Sequence, residues 1–232
     1  MASTPHKQTK TREAQYQRSL DLLKEGGLTP MGLMTNQAWR DDPKHLLFTL
    51  SRYKFVAKIL AGRKHALEVG CSDAFGSRIV LQSVRSLTAI DFDPVFVADV
   101  HARMDPHWAF KCEVHDMLSG PYPGNYDAIY ALDVIEHIKP AKELTFIENM
   151  AASLTPEGIL LLGTPSLQSQ AYAGPQSKAG HVNCKDEPRL RTLLSRYFHN
   201  VFVFSMSDEV VHTGFYPMAH YLIAFACGQK IR

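Results

Sequence analysis

Cysteine is scarce in this 232-residue chain: Cys71, Cys112, Cys184 and Cys227 stand far apart, with no CxxC pair. That spacing excludes the ligand sets of zinc fingers and ribbons, and a chain of this size needs no disulfide framework. Long apolar runs are missing too. The longest, residues 221–227, falls far short of the roughly 20 residues that span a bilayer. Residues 1–17 are polar and basic and lack the apolar centre of a signal peptide. An excess of either charge is also absent, since 25 Lys and Arg face 23 Asp and Glu, a net charge of +2. No basic stripe or tail marks a nucleic-acid binder. The expectation is a reduced, cytoplasmic protein that engages neither membrane nor nucleic acid.

What is present suits a folded domain: 45% of residues are hydrophobic and 21% charged, enough apolar material for a full core. The polar residues 1–12 read as a frayed start. Residues 13–25 have helical character and stop at Gly26-Gly27, and a loop with Pro30, Gly32 and Trp39 follows. Asp42-Pro43 reads as N-cap and first helical position, and Leu46, Leu47, Leu50, Tyr53, Ala57 and Leu60 recur with helical spacing to about Ala61. After Gly62 the texture alternates. Strands are expected at 65–69, 87–90, 110–114, 126–132, 159–162, 201–204 and 221–227, with helices at 77–84, 94–103, 140–154 and 188–197. Asp93 and Asp186 stand where acids cap helices. Such alternation specifies an α/β fold with a mostly parallel sheet and helices on both faces. The chain divides into an N-terminal helical cover, residues 1–61, and a sheet-bearing part, residues 62–232.

The first strand, ending Glu68-Val69, runs into Gly70-Cys71-Ser72-Asp73-Ala74-Phe75-Gly76. Small-residue loops between a parallel strand and a helix are where such sheets bind nucleotides. Asp91 closes the second strand about 20 residues later, where an acid accepts hydrogen bonds from ribose hydroxyls. Asp93, before Pro94, fits the helix N-cap better, which leaves Asp91 to face a ligand. A dinucleotide loop wants GxGxxG, but Ser72 and Phe75 replace its second and third glycines. No tyrosine has lysine four residues later, as short-chain dehydrogenases require. Asp91-x-Asp93 also matches the metal-binding DxD of glycosyltransferases, a reading that the flanking motifs disfavour.

Leu67 to Asp73 resembles motif I of the class I S-adenosylmethionine-dependent methyltransferases. Further matches follow in order. Ala89 to Pro94 resembles the strand-two acid motif, and Val114-His115-Asp116-Met117 the adenine-contacting motif. Tyr126 to Ile138 is similar to the fourth-strand motif of the ubiquinone-biosynthesis type. Leu154 to Leu162 resembles the helix–turn–strand after it. The resemblance covers residues 62–228 and implies a Rossmann-like seven-stranded sheet with its last strand antiparallel. It also implies S-adenosyl-L-methionine as cofactor and S-adenosyl-L-homocysteine as product. By resemblance, Glu68, Gly70, Cys71, Ser72 and Asp73 hold the methionine moiety, and Asp91 with Phe92 the ribose. Asp116 and Met117 meet the adenine, and Asp133, Glu136 and His137 floor the pocket. Ser72 and Ala74 depart from the motif's glycines, which keeps a non-catalytic cofactor-binding subunit in view beside a nicotinamide-dependent oxidoreductase.

The acceptor is less marked. Residues 163–184 form a long connection carrying Tyr172, Gln176, Lys178, His181 and Asn183, a set suited to a hydrogen-bonding substrate. His181 is the candidate base, with His137 as the other catalytic histidine. Trp39, Arg52 and Tyr53 offer a substrate cover, and His212, Tyr216 and His220 precede the last strand. Glu136-His137 shows no third ligand in the sequence, so no metal is expected. There is no Pro-Pro and no Pro-Cys, which removes the motifs of amino-group and cytosine-C5 nucleic-acid methylation. A small polar acceptor remains, methylated on oxygen or nitrogen; residues 177–183 loosely resemble bacterial methyltransferases of sugars or surface glycans, and that resemblance implies a sugar or glycan precursor.

Overall fold

The computed structural model describes residues 10–230, so most of the polar start lies outside the described residues. The described residues divide into two compact units, the first ending at Met31 and the second beginning at Gly32. The first contains helix α1 (Gln17–Gly26), which ends where Gly27 takes a left-handed φ of 74°. In the second, α2 (Leu33–Asp41) and α3 (Pro43–Ile59) precede the sheet. Asp42 caps α3 as its sequence position suggests, its carboxylate accepting from Lys44 N–H at 3.1 Å.

Strands and helices then alternate: β1 (His65–Val69), α4 (Ser77–Leu81), β2 (Ser86–Asp91), α5 (Pro94–Arg103), β3 (Lys111–Val114) and β4 (Tyr126–Leu132). Next come α6 (Glu143–Ser153), β5 (Leu154–Pro165), α7 (Pro175–Gly180), α8 (Glu187–Leu194), β6 (Phe198–Ser207), β7 (Val210–His212) and β8 (Tyr221–Gln229). They form one sheet in the order β3-β2-β1-β4-β5-β8-β6-β7. The first five strands in that order pair in parallel; β8 runs antiparallel between β5 and β6. The sheet thus has eight strands rather than seven. The addition is β7, a three-residue hairpin partner of β6 beyond a turn at Asp208, too short to leave a periodic pattern.

The core follows strand alternation. On β4, Ile129 and Ala131 join the cluster with Phe146, Ile147 and Met150 of α6 and Leu190 and Leu194 of α8. Ala128, Tyr130 and Leu132 join the opposite one, with Tyr53 and Val56 of α3, Leu60 just after it and Val80 of α4. β1 and β4 lead away to opposite sides from the middle of the parallel part. Their C-terminal ends therefore flank the switch point where open α/β sheets bind ligands.

Two helices lie where loops were expected. α7 fills part of the long connection. α2 spans the predicted Pro30–Trp39 loop, and its N-cap, Gly32, has no side chain to cap it. The cap comes from far away: Asp73 accepts from Thr35 N–H at 2.7 Å and from the Thr35 hydroxyl at 3.2 Å. A Cβ at Gly32 would overlap the Asp73 carboxyl group, so glycine permits this approach.

Candidate functional site

The loop after β1 turns at Gly70, whose φ is 74° and whose missing Cβ would otherwise overlap Val134. Ser72 and Ala74, the departures from the glycine motif, also hold left-handed φ values of 49° and 51°. The loop therefore keeps a glycine-type conformation with side chains that bear its strain. α4 follows at once but has only five residues.

Three buried acids fasten this loop. Glu68 accepts from the hydroxyls of Tyr53 at 2.9 Å and Tyr130 at 2.8 Å, and from the Ser77 hydroxyl. Burial raises its carboxyl to about 7 despite these donors. Asp73 caps α2 and also accepts from Phe75 N–H at 3.2 Å. Asp91 accepts from Ser72 N–H at 2.7 Å and Asp93 N–H at 2.9 Å, while Asp93 caps α5 through Val95 N–H at 2.9 Å. Phe92 beside it is 71% exposed, and Cys71 is buried. Asp116 is exposed and accepts from Leu118 N–H at 2.8 Å, over a buried Met117.

A second group gathers beyond β4. Asp133 holds a left-handed φ of 58°, and its N–H donates to the Gly163 carbonyl at 3.1 Å and the Tyr221 hydroxyl at 3.2 Å. One guanidinium nitrogen of Arg52 donates to both Asp133 oxygens, at 2.8 and 2.7 Å, and the guanidinium lies 3.8 Å over the Tyr221 ring. Glu136 is wholly buried. One oxygen accepts from the Thr164 hydroxyl at 3.1 Å, and the other has no partner among the described residues. Burial, reinforced by Asp133, raises this carboxyl to about 8. The His137 and His181 rings meet edge to face, 5.2 Å apart. Partial burial, with His137 beside it, holds His181 below the ordinary imidazole value.

Of the sequence candidates, Arg52, Asp133, Glu136, His137 and His181 thus come together. His181 is the third donor that the Glu136-His137 pair lacked in the sequence: the three offer ligand atoms within 4.8 Å of one another. Other substrate candidates have different surroundings. Tyr53 is bound to Glu68, and the Asn183 amide bridges Glu143 and Lys185 in a separate buried network. Trp39, Tyr172 and Lys178 are exposed. His212 and His220 bond within the β6–β7 hairpin, to Ser207 and Asp208. Thr164, Gln170 and Tyr221 join the second group without any local sequence signal.

The first group fits a nucleoside cofactor. Asp91 accepts two backbone donors, while a carboxylate has about four acceptor positions. Next to it the buried Ser72 Oγ lacks a partner among the described residues.

Residues 66–158 match the family described as a methyltransferase domain. Over 119 residues the chain is 27% identical to a probable S-adenosylmethionine-dependent methyltransferase of Mycobacterium tuberculosis, covering 50% of this chain and 42% of that protein. It is 29% identical over 141 residues to the ubiquinone biosynthesis O-methyltransferase of Haemophilus ducreyi, covering 56% and 58%. The chain thus spans about half the length of these curated relatives. Its fold is similar to that of the N-methyltransferase NodS of Bradyrhizobium japonicum, solved with S-adenosyl-L-homocysteine. The TM-score is 0.62 at 18% identity, over 82% of this chain and 90% of that one. Among the described residues no helix is long and apolar enough to cross a membrane. In sequence over residues 66–158, and in fold beyond them, the chain is thus similar to S-adenosylmethionine-dependent methyltransferases.

Proposed function

We propose that the chain transfers a methyl group from S-adenosylmethionine to an oxygen or nitrogen of a small polar acceptor in the cytoplasm, with a sugar or glycan precursor the first class to screen. The observation that carries this reading is Asp91, buried at the C-terminal end of β2 with acceptor capacity beyond its two backbone donors. In this reading Asp91 takes the ribose hydroxyls, Ser72 Oγ a polar group of the cofactor, and Asp116 with Met117 the adenine.

The cofactor supplies an electrophilic methyl carbon on a sulfonium. The chain's task is alignment, and orientation alone can lower such a barrier by several kcal/mol, about 7 or more at best. The acceptor's lone pair forms the new bond to the methyl carbon while the carbon–sulfur pair returns to sulfur. A hydroxyl acceptor also gives up its proton. His181, neutral near pH 7 because its pKa is lowered, is competent to take it.

The test is calorimetric titration with S-adenosylmethionine, S-adenosylhomocysteine and NAD, for the wild type and Asp91→Ala. Micromolar binding of both sulfur ligands, weakened about 100-fold in the variant, is expected from losing two charge-assisted hydrogen bonds. Binding of NAD alone would overturn the reading.

A further inference from the structure

The cluster of Glu136, His137 and His181 has bonding capacity that its protein contacts leave open. His137 Nδ1 lies 3.0 Å from the Gly180 carbonyl oxygen, and His181 Nδ1 lies 2.9 Å from Gln170 Oε1. The Gln170 amide is oriented by its own NH2, which donates to the Ser166 carbonyl at 3.4 Å and to Ser169 Oγ at 3.3 Å. Both histidines therefore face oxygen acceptors, which places the proton on Nδ1 and leaves a lone pair on each Nε2. An imidazole held by its far nitrogen in this way is the usual arrangement of a metal ligand. The third member adds an independent sign. Glu136 is wholly buried, with one oxygen on Thr164 and the other without a partner among the described residues. A buried oxygen of that kind is destabilising unless a ligand takes it up.

We propose that Glu136, His137 and His181 bind a divalent first-row transition ion whose open positions take an oxygen of the methyl acceptor. Two imidazoles and one carboxylate suit manganese, iron, cobalt or zinc; magnesium and calcium prefer all-oxygen sets. Three protein ligands leave room for substrate oxygens, as catalytic sites require. The inference rests on the methyl-transfer reading and refines its acceptor: a hydroxyl beside a second oxygen, able to occupy two positions on the ion. The ion then acidifies the hydroxyl and His181 serves as ligand. The proton is lost to water, the oxygen lone pair forms the bond to the methyl carbon, and the carbon–sulfur pair goes to sulfur.

The experiment uses the whole chain, stripped with a chelator and titrated with Co2+ alone while its visible absorption is followed. S-adenosylhomocysteine binding is measured in parallel. One Co2+ per chain is expected, at micromolar affinity. His181→Asn and Glu136→Gln should each weaken it at least about 100-fold, and Gln170→Ala about tenfold. His181→Asn should keep S-adenosylhomocysteine affinity within about threefold, which also shows that it folds. Glycolate should shift the Co2+ bands by entering the open positions. A wild type that binds S-adenosylhomocysteine but not Co2+ would overturn the ion site, as would Co2+ binding indifferent to all three substitutions. Bands unmoved by glycolate would overturn the acceptor-ligating part. Co2+ binding without S-adenosylhomocysteine binding would overturn the methyl-transfer reading and leave the ion site standing.

Discussion

Around the loops after β1 and β2, every carboxylate oxygen of the buried Glu68, Asp73 and Asp91 accepts from a protein donor. Beyond β4 the opposite holds. Two of the four buried polar side-chain atoms without a partner among the described residues lie there: Arg52 Nε and Glu136 Oε1. Another is Ser72 Oγ, in the loop after β1. The two regions lie at the same end of one sheet and share its packing. The first is fastened before any ligand arrives, and the ligand has only to add to it. The second holds open valences and a strained Asp133, the state expected of a region completed by what it binds.

The comparison breaks most visibly at Glu68. Its carboxyl is raised to about 7 by burial, above an ordinary value near 4.5. Between those pH values the folded chain holds a proton that the unfolded chain has released. Stability from this group is therefore full below about pH 4.5 and is lost as pH rises through 7, a change on the order of 3 kcal/mol. Urea unfolding at pH 5 and pH 8 should show wild type losing that much more than Glu68→Gln, which cannot ionise. Parallel curves would mean that the three hydroxyls carry the charged carboxylate without cost.

Arg52 probes the other region. Arg52→Ala leaves Asp133 without its guanidinium and uncovers the Tyr221 ring. Because Asp133 is about one-third exposed, water recovers part of the loss, and about 2 kcal/mol of destabilisation is expected. Arg52→Lys should recover only part, since a point charge does not replace the planar stack on Tyr221. Full recovery would show that charge alone holds Asp133.

The first region was readable because its parts are local. Gly70, Asp91 and Asp93 lie on or just after strands that alternation already located, and the caps at Asp42, Asp93 and Asp186 stand one residue from a helix that hydrophobic spacing found. β1, β4 and α5 begin and end where the pattern places them. The second region depends on contacts between distant residues. Arg52 meets Asp133 across 81 positions, and Glu136 meets Thr164 across 28. Helix α2 escaped for the same reason, since its cap is Asp73, 38 positions from Thr35. No window of sequence contains such a pairing.

The smallest effects separate Ser72 from Ala74, which share a left-handed backbone. That conformation costs an L-residue about 1–2 kcal/mol, and glycine relieves it at an entropic cost of about 0.5–1 kcal/mol. Ala74 has an opposing term: its methyl is buried against the α5 side of the sheet, and removing it forfeits about 0.8 kcal/mol. Ala74→Gly should therefore leave thermal stability nearly unaltered. Ser72→Gly removes a hydroxyl that has no protein partner, so nothing opposes the relief, and Tm should rise by about 2–4 °C. The same change should weaken S-adenosylhomocysteine by about fivefold, the value of one neutral hydrogen bond, if Ser72 Oγ is reserved for the cofactor. A rise in Tm with unaltered affinity would make Ser72 a strained bystander. It would move the last open polar atom out of the cofactor site and sharpen the contrast between the two regions further.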